Sequence, residues 1–231
     1  MSKTDNAHKT RKPEIHSGVF YPDEALTVAT LTARHGFGWT PLRDSLSPLE
    51  GESPVSLVRN GGYRVVGATF AELRDIQRAR LTIETELLRV SIRKSDDERQ
   101  KRVLSAYRVL LRAPALQTGM TEAEHETFEV AHQEFHFALV GGSDCLWTGR
   151  FLEQFYAQVR RHQRLAVLGR ASLSDPHTDV ALLTTLHSAS AMTHHTRLKD
   201  AVLDPDERRA VGLLQDHIGT AQVAPGTAPA L

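Results

Sequence analysis

A chain of 231 residues, 40% of them hydrophobic, is long enough to form one large or two small packed cores. Its one cysteine, Cys145, excludes an intrachain disulfide and a cysteine-based zinc module, and no apolar run reaches the roughly eighteen residues that a membrane-spanning helix needs. With 28 basic and 28 acidic side chains the formal charge is zero, and residues 1–66 hold 8 Lys/Arg against 7 Asp/Glu, a balance that argues weakly against nucleic acid.

Residues 1–14 are polar, carry Pro13 and lack the apolar core of a secretory signal, so they read as a disordered arm on a cytoplasmic protein. Gly18-Val19-Phe20-Tyr21-Pro22 marks a turn. Leu26, Val28, Ala29 and Leu31, ahead of Arg34-His35-Gly36, predict a short helix that stops at a glycine. After a turn at Gly38-Trp39, Thr40-Pro41 starts a second helix. Threonine caps free backbone N–H groups, and proline at the first helical position gives up no needed hydrogen bond. Two short helices around a tight glycine turn form a helix-turn-helix. The β-rich runs Pro54 to Arg59 and Tyr63 to Val66 flank Asn60-Gly61-Gly62 and predict a hairpin. A helix-turn-helix followed directly by a hairpin is a winged helix, here over residues 15–67.

Gly67-Ala68-Thr69 reads as a linker, and the periodicity beyond it is helical. Phe70, Leu73, Ile76, Ile83, Leu87 and Val90 form one apolar stripe; Val103, Ala106, Tyr107, Leu110 and Leu111 form a second. A third helix runs from about Thr121 to Val140 and stops at Gly141-Gly142. A fourth passes through Phe151, Phe155, Val159 and His162, and a loop with Pro176 follows. A fifth covers about Val180 to Leu203, Asp204-Pro205 breaks it, and a sixth runs from Asp206 to about Thr220. The fold class is therefore mainly α: a winged helix-turn-helix and an all-α six-helix bundle over 69–221, with a disordered tail at 222–231.

Histidine placement carries the chemistry. His132 and His136 stand one turn apart on a helix whose same face bears Phe128, Phe135 and Leu139, so both imidazoles point into an apolar interior. His195 and His217 lie on either side of the Asp204-Pro205 break, each roughly 13–18 Å from it at the helical rise, and can meet at similar depth if those two helices are antiparallel. Four imidazoles converging inside a bundle suit zinc, nickel, copper or iron better than magnesium or calcium. The competing reading is of satisfied core histidines, and His125, His162, His187 and His194 can each stand in for one of the four.

The order of parts resembles the GntR-type transcription regulators of the FadR subgroup, from about Ile15 to Ala221. The resemblance rests on Gly18-Val19-Phe20-Tyr21-Pro22, Leu31 through Gly36, Thr40-Pro41-Leu42-Arg43-Asp44-Ser45-Leu46 and Asn60-Gly61-Gly62-Tyr63-Arg64-Val65 in the first half. In the second half, Arg80-Leu81-Thr82-Ile83-Glu84, Phe135-His136, His195 and His217 are similar to an FCD effector domain. It implies a ligand-responsive DNA-binding regulator and repressor or activator, dimeric on a palindromic operator, that is not an enzyme. The implied DNA contacts are Trp39, Thr40, Arg43, Asn60 and Gly62. The implied metal ligands are His136, His195 and His217, with His132 as a fourth where relatives carry Asp or Asn. The implied cofactor is a divalent transition metal, zinc first and nickel second, which holds a small carboxylate effector with Arg80 as a second contact.

This chain departs from the family pattern at Gly38-Trp39, where relatives have Ser-Arg, at Gly61, where they have Arg, and at Pro48, which ends or kinks the recognition helix. Two competing functions follow. One is a degenerate family member that senses metal or metabolite without binding DNA. The other is a helical metalloenzyme, for which Glu129-Val130-Ala131-His132 supplies one E-x-x-H motif but the fifth and sixth helices supply no second.

Overall fold

The computed structural model describes residues 24–27, 55–58, 62–66, 69–94, 96–117, 119–167, 191–204 and 206–220. In chain order the elements are β1 (Ala25–Leu26), β2 (Val55–Val58), β3 (Gly62–Val65), α1 (Phe70–Arg93), α2 (Asp97–Arg112), α3 (Glu122–Val140), α4 (Leu146–Val167), α5 (Met192–Leu203) and α6 (Glu207–Thr220). Contacts divide the chain into two units, Met1–Thr69 with Arg160–Ser174, and Phe70–Val159 with Asp175–Leu231.

The first unit contains a three-stranded antiparallel sheet in the order β1-β3-β2. The expected hairpin forms, with Val55 paired to Val65 and Val58 to Gly62, so that Gly62, expected in the turn, opens β3 instead. Val55, Tyr63 and Val65 are buried while Ser56 and Arg64 face out, the period-two alternation of a half-buried sheet. The expected short helix does not begin at Leu26. Ala25 and Leu26 pair with Arg64 and Tyr63, and Val65 N–H donates to the Glu24 carbonyl at 3.1 Å. Strand pairing here satisfies backbone groups of β3 and buries Leu26 completely. Residues 28–54 of the expected helix-turn-helix, Pro48 among them, lie outside the described residues, as do the hairpin loop and most of the linker.

The second unit is helical, and its helices start where side chains can cap them. The Asp96 carboxylate accepts from Arg99 N–H at the start of α2. At the start of α3, Thr121 and Glu124 exchange side-chain and backbone bonds in a capping box. The Asp206 carboxylate accepts from Arg209 N–H at the start of α6. α1 packs against α3 and α6, α2 against α3 and α5, and α5 against α6. Leu73, Val103, Phe135, Leu139, Leu198 and Leu214 are completely or almost completely buried.

Three apolar faces differ from expectation. On α1, Leu73 and Leu87 are buried but Ile76, Ile83 and Val90 only half-buried, because Gln77, Arg80, Glu84 and Ser91 take the inner face. On α2, Leu111 is 57% exposed, and the fully buried Arg99 extends the inner face instead. On α4, Val159 and His162 are buried as expected, but in the first half of the helix Phe151 is 49% exposed and Leu152 and Tyr156 are buried in place of Phe151 and Phe155. The expected fifth helix does not run unbroken from Val180 to Leu203: Ala191 has non-helical backbone (φ −59°, ψ 128°) and caps α5, which starts at Met192, while residues 180–190 lie outside the described residues.

Candidate metal centre

The inner face of α3 repeats at 125, 128, 129, 132, 135, 136 and 139, spacings of three and four that put these side chains on one side of a helix. Its middle presents His132 and His136 to α5 and α6, which bring His195 and His217. The imidazole nitrogens of these four residues offer one ligand atom each, all within 4.8 Å of one another. Ring centroids of His195 and His217 stand 4.6 Å apart, those of His132 and His136 4.7 Å, and those of His132 and His195 4.9 Å. His217 Nε2 and His136 Nε2 face each other at 3.1 Å. Two nitrogens bound to one zinc ion at about 2.0–2.1 Å each stand roughly 3–3.5 Å apart, so this spacing fits ligands that share an ion.

Two of the rings are oriented by partners on their far side. His195 Nδ1 donates to the Ala191 carbonyl at 3.0 Å, one turn back on α5, which leaves a buried Nε2 with no partner. His136 Nδ1 lies 2.5 Å from Glu84 Oε1 of α1. Burial, followed by the charge of Arg80 and the neighbouring His195, pushes His136 well below the usual imidazole range. Burial and then His136 and His195 do the same to His132; burial and then His195 and His136 do it to His217. His195 is pushed down to about 4 by burial, with the bond to Ala191 opposing the shift. All four are therefore neutral at pH 7, the form in which imidazole binds a metal.

Beside the cluster lies a buried polar network that the sequence did not reveal. Arg80 Nε donates to Glu84 Oε2 at 2.8 Å, Arg80 Nη1 to Gln77 Oε1 at 3.3 Å, and Arg80 Nη2 to the Tyr156 hydroxyl at 2.6 Å. The Tyr156 hydroxyl donates in turn to Glu84 at 3.2 Å, and the Arg80 guanidinium lies over the Tyr156 ring, 4.3 Å from its centroid. Burial works against the Arg80 charge, but Glu84 and Tyr156 outweigh it and raise its pKa. Burial pushes the Tyr156 phenol well above its usual range against the opposing charge of Arg80. The Arg80–Glu84 ion pair was readable from the i, i+4 spacing; its complete burial was not.

The alternative histidines stand elsewhere. His125 is buried with its Nδ1 3.3 Å from Glu129 of the same helix, and His162 is buried in the part of α4 that belongs to the first unit. His194, half-buried, lies beside the cluster, its ring tilted 45° to that of His217 with centroids 6.2 Å apart. His187 lies outside the described residues. Glu129 of the E-x-x-H motif faces His125 and is not among the converging ligand atoms, and the described residues offer no carboxylate in that set. Of the DNA-contact candidates, Trp39, Thr40, Arg43 and Asn60 lie outside the described residues, and Gly62 opens β3.

Residues 75–220 match the FCD domain family. The chain is 32% identical over 215 residues to the HTH-type transcriptional repressor GlaR of Escherichia coli (strain K12), covering 93% of this chain and 92% of that one. It is 27% identical over 209 residues to the uncharacterized HTH-type transcriptional regulator BphR of Paraburkholderia xenovorans (strain LB400), covering 90% and 78%. Among solved structures, E. coli McbR/YncC superposes with a TM-score of 0.67 at 16% identity, over 95% of this chain and 94% of that chain. A putative transcriptional regulator GntR from Rhodococcus sp. RHA1 gives 0.69 at 16% identity, over 96% of each. At such low identity these two likenesses establish the fold.

Proposed function

This chain belongs to the GntR family of transcriptional regulators that carry an FCD effector-binding domain, and from that premise we propose that His132, His136, His195 and His217 hold a divalent transition metal at which a small organic acid acts as effector. The observation that carries this reading is the convergence of four neutral, buried imidazoles drawn from three helices. A donor set of four nitrogens and no oxygen favours zinc, with nickel second, over magnesium, calcium or manganese. Once bound, such an ion supplies a Lewis-acidic position for a carboxylate oxygen. The residues of the chain do the rest. The carbonyl of Ala191 and the carboxylate of Glu84 turn two rings inward, and the rings of Phe128 and Phe135 flank His132, His136 and His195 with apolar surface. Arg80, buried beside His136, presents five N–H donors of which its bonds to Glu84, Gln77 and Tyr156 use three, and is the second contact for a carboxylate.

In the same reading residues 15–67 are a winged helix that contacts operator DNA through Trp39, Thr40, Arg43, Asn60 and Gly62, residues 69–221 are the effector domain, and the active form is a cytoplasmic homodimer on a palindromic site. Effector binding changes operator affinity by favouring one placement of the two DNA-reading domains over another. GlaR is named a repressor, and repression is the sense we assign here. No helix among the described residues is long and apolar enough to cross a membrane.

The test is a fluorescence-anisotropy titration of full-length, metal-loaded protein with DNA from upstream of its own gene, with and without a panel of small carboxylates, at several salt concentrations. The reading requires sequence-dependent binding with a phosphate-driven salt slope, and at least one carboxylate that shifts the affinity. The missing basic residues at Gly38-Trp39 and Gly61 favour the alternative of a sensor that has lost DNA binding. Absence of any salt-dependent binding establishes that alternative; binding that no carboxylate and no metal perturbs overturns the coupling.

A further inference from the structure

Glu84 and Arg80 both reach the same ring nitrogen. His136 Nδ1 has Glu84 Oε1 at 2.5 Å and Arg80 Nη2 at 3.3 Å. These neighbours make opposite demands. An ionised carboxylate only accepts, so it requires the proton on Nδ1; a guanidinium only donates, so it requires Nδ1 bare and the proton on Nε2. The second tautomer blocks the nitrogen that faces His217. Whichever neighbour prevails decides whether His136 can act as a ligand.

We propose that Glu84 is the positioning residue of the histidine centre: it outcompetes Arg80 for His136 Nδ1 and so fixes the tautomer that turns a bare Nε2 toward the other three rings. This rests on the reading of the four histidines as a metal site and adds to it a residue on a different helix. Three features support it. The carboxylate contact is the shorter by a wide margin and joins α1 to α3 at zero exposure of either side chain. Glu84 is itself held in place: Arg80 Nε occupies Oε2 and the Tyr156 hydroxyl bonds the carboxylate from α4, which leaves Oε1 directed at the ring. Arg80 is diverted, because its Nη2 makes its short bond, 2.6 Å, to Tyr156 instead. A carboxylate behind a ligating imidazole also raises the basicity of that ligand, which matters in a shell of four neutral nitrogens that contains no anionic donor.

The experiment has two arms on the full chain. Long-range 1H–15N correlation spectra of the metal-free wild type report the His136 tautomer, and competition with a chromophoric chelator reports Co2+ affinity, with the d–d absorption of bound cobalt as a second signature. The proposal predicts His136 protonated on Nδ1 in the wild type, and a loss of Co2+ affinity of about 10- to 100-fold in Glu84→Gln with altered d–d bands. Tyr156→Phe, which keeps the Arg80–Glu84 pair, should move in the same direction by a smaller factor. Wild-type His136 protonated on Nε2 overturns the proposal, and this holds even if Glu84→Gln fails to fold. A folded Glu84→Gln that binds Co2+ as tightly as wild type also overturns it while leaving the metal site intact. Wild type that takes up no cobalt overturns the metal reading and this inference together.

Discussion

His136 and His217, 81 positions apart in sequence, face each other with their Nε2 atoms 3.1 Å apart inside the helical unit. Two neutral imidazoles can tolerate that separation by sharing one proton. Two protonated ones cannot, since like charges at that distance repel strongly in a buried site. Acid should therefore attack the fold through this cluster.

Burial holds all four imidazoles below their ordinary value, His195 at about 4. Unfolding returns each to an ordinary pKa of about 6.5. Below that pH the unfolded chain binds protons that the folded chain refuses, so the metal-free protein has its full stability above about pH 6.5 and loses it as the pH falls toward 4. Urea unfolding of the metal-free protein at pH 7.5 and pH 5 measures this, and a midpoint that does not fall at pH 5 contradicts the account.

Arg99 of α2 and Ser91 of α1 meet the end of α3 in a buried hydrogen-bonded junction. Ser91 of α1 donates to the Leu139 carbonyl at 2.8 Å and accepts from Arg99 Nε at 2.7 Å, while Arg99 Nη2 reaches the same Leu139 carbonyl at 3.1 Å. Gly142 closes over this node, and a Cβ there would stand 3.1 Å from Ser91 Oγ and 3.3 Å from Arg99 Cδ. Gly142→Ala should destabilise by about 1–3 kcal/mol, the usual cost of overpacking a filled site. Thermal unfolding compared with wild type checks it; because Gly142 stands apart from the four histidines, metal stoichiometry should be unchanged.

Much of the second unit was legible because its signals are local. Thr121 with Glu124 announces the start of α3, Gly141 its end, and the spacing of His132 and His136 fixes their common face. His195 and His217 could be matched across the Asp204-Pro205 break because a tight connection forces α5 and α6 together. The hairpin was visible in Asn60-Gly61. What escaped depended on partners distant in sequence. Leu26 belongs to a helical pattern by its near neighbours and to a strand only because Tyr63 lies beside it. Glu84 looks solvent-facing on α1 until Tyr156 and His136 close over it, since ionic groups are rarely buried unless paired. On α4, adjacent apolar residues at Phe151 and Leu152 left the direction of the buried face undetermined by 100°.

Elemental analysis of purified protein tells most directly whether the four histidines are a metal site or a packed core. Wild type should carry about one equivalent of a transition metal per chain, zinc in preference to nickel, and His195→Ala and His217→Ala should each lose most of it. If wild type and both variants carry the same trace amount, the imidazoles are core residues and the effector site proposed around them does not exist.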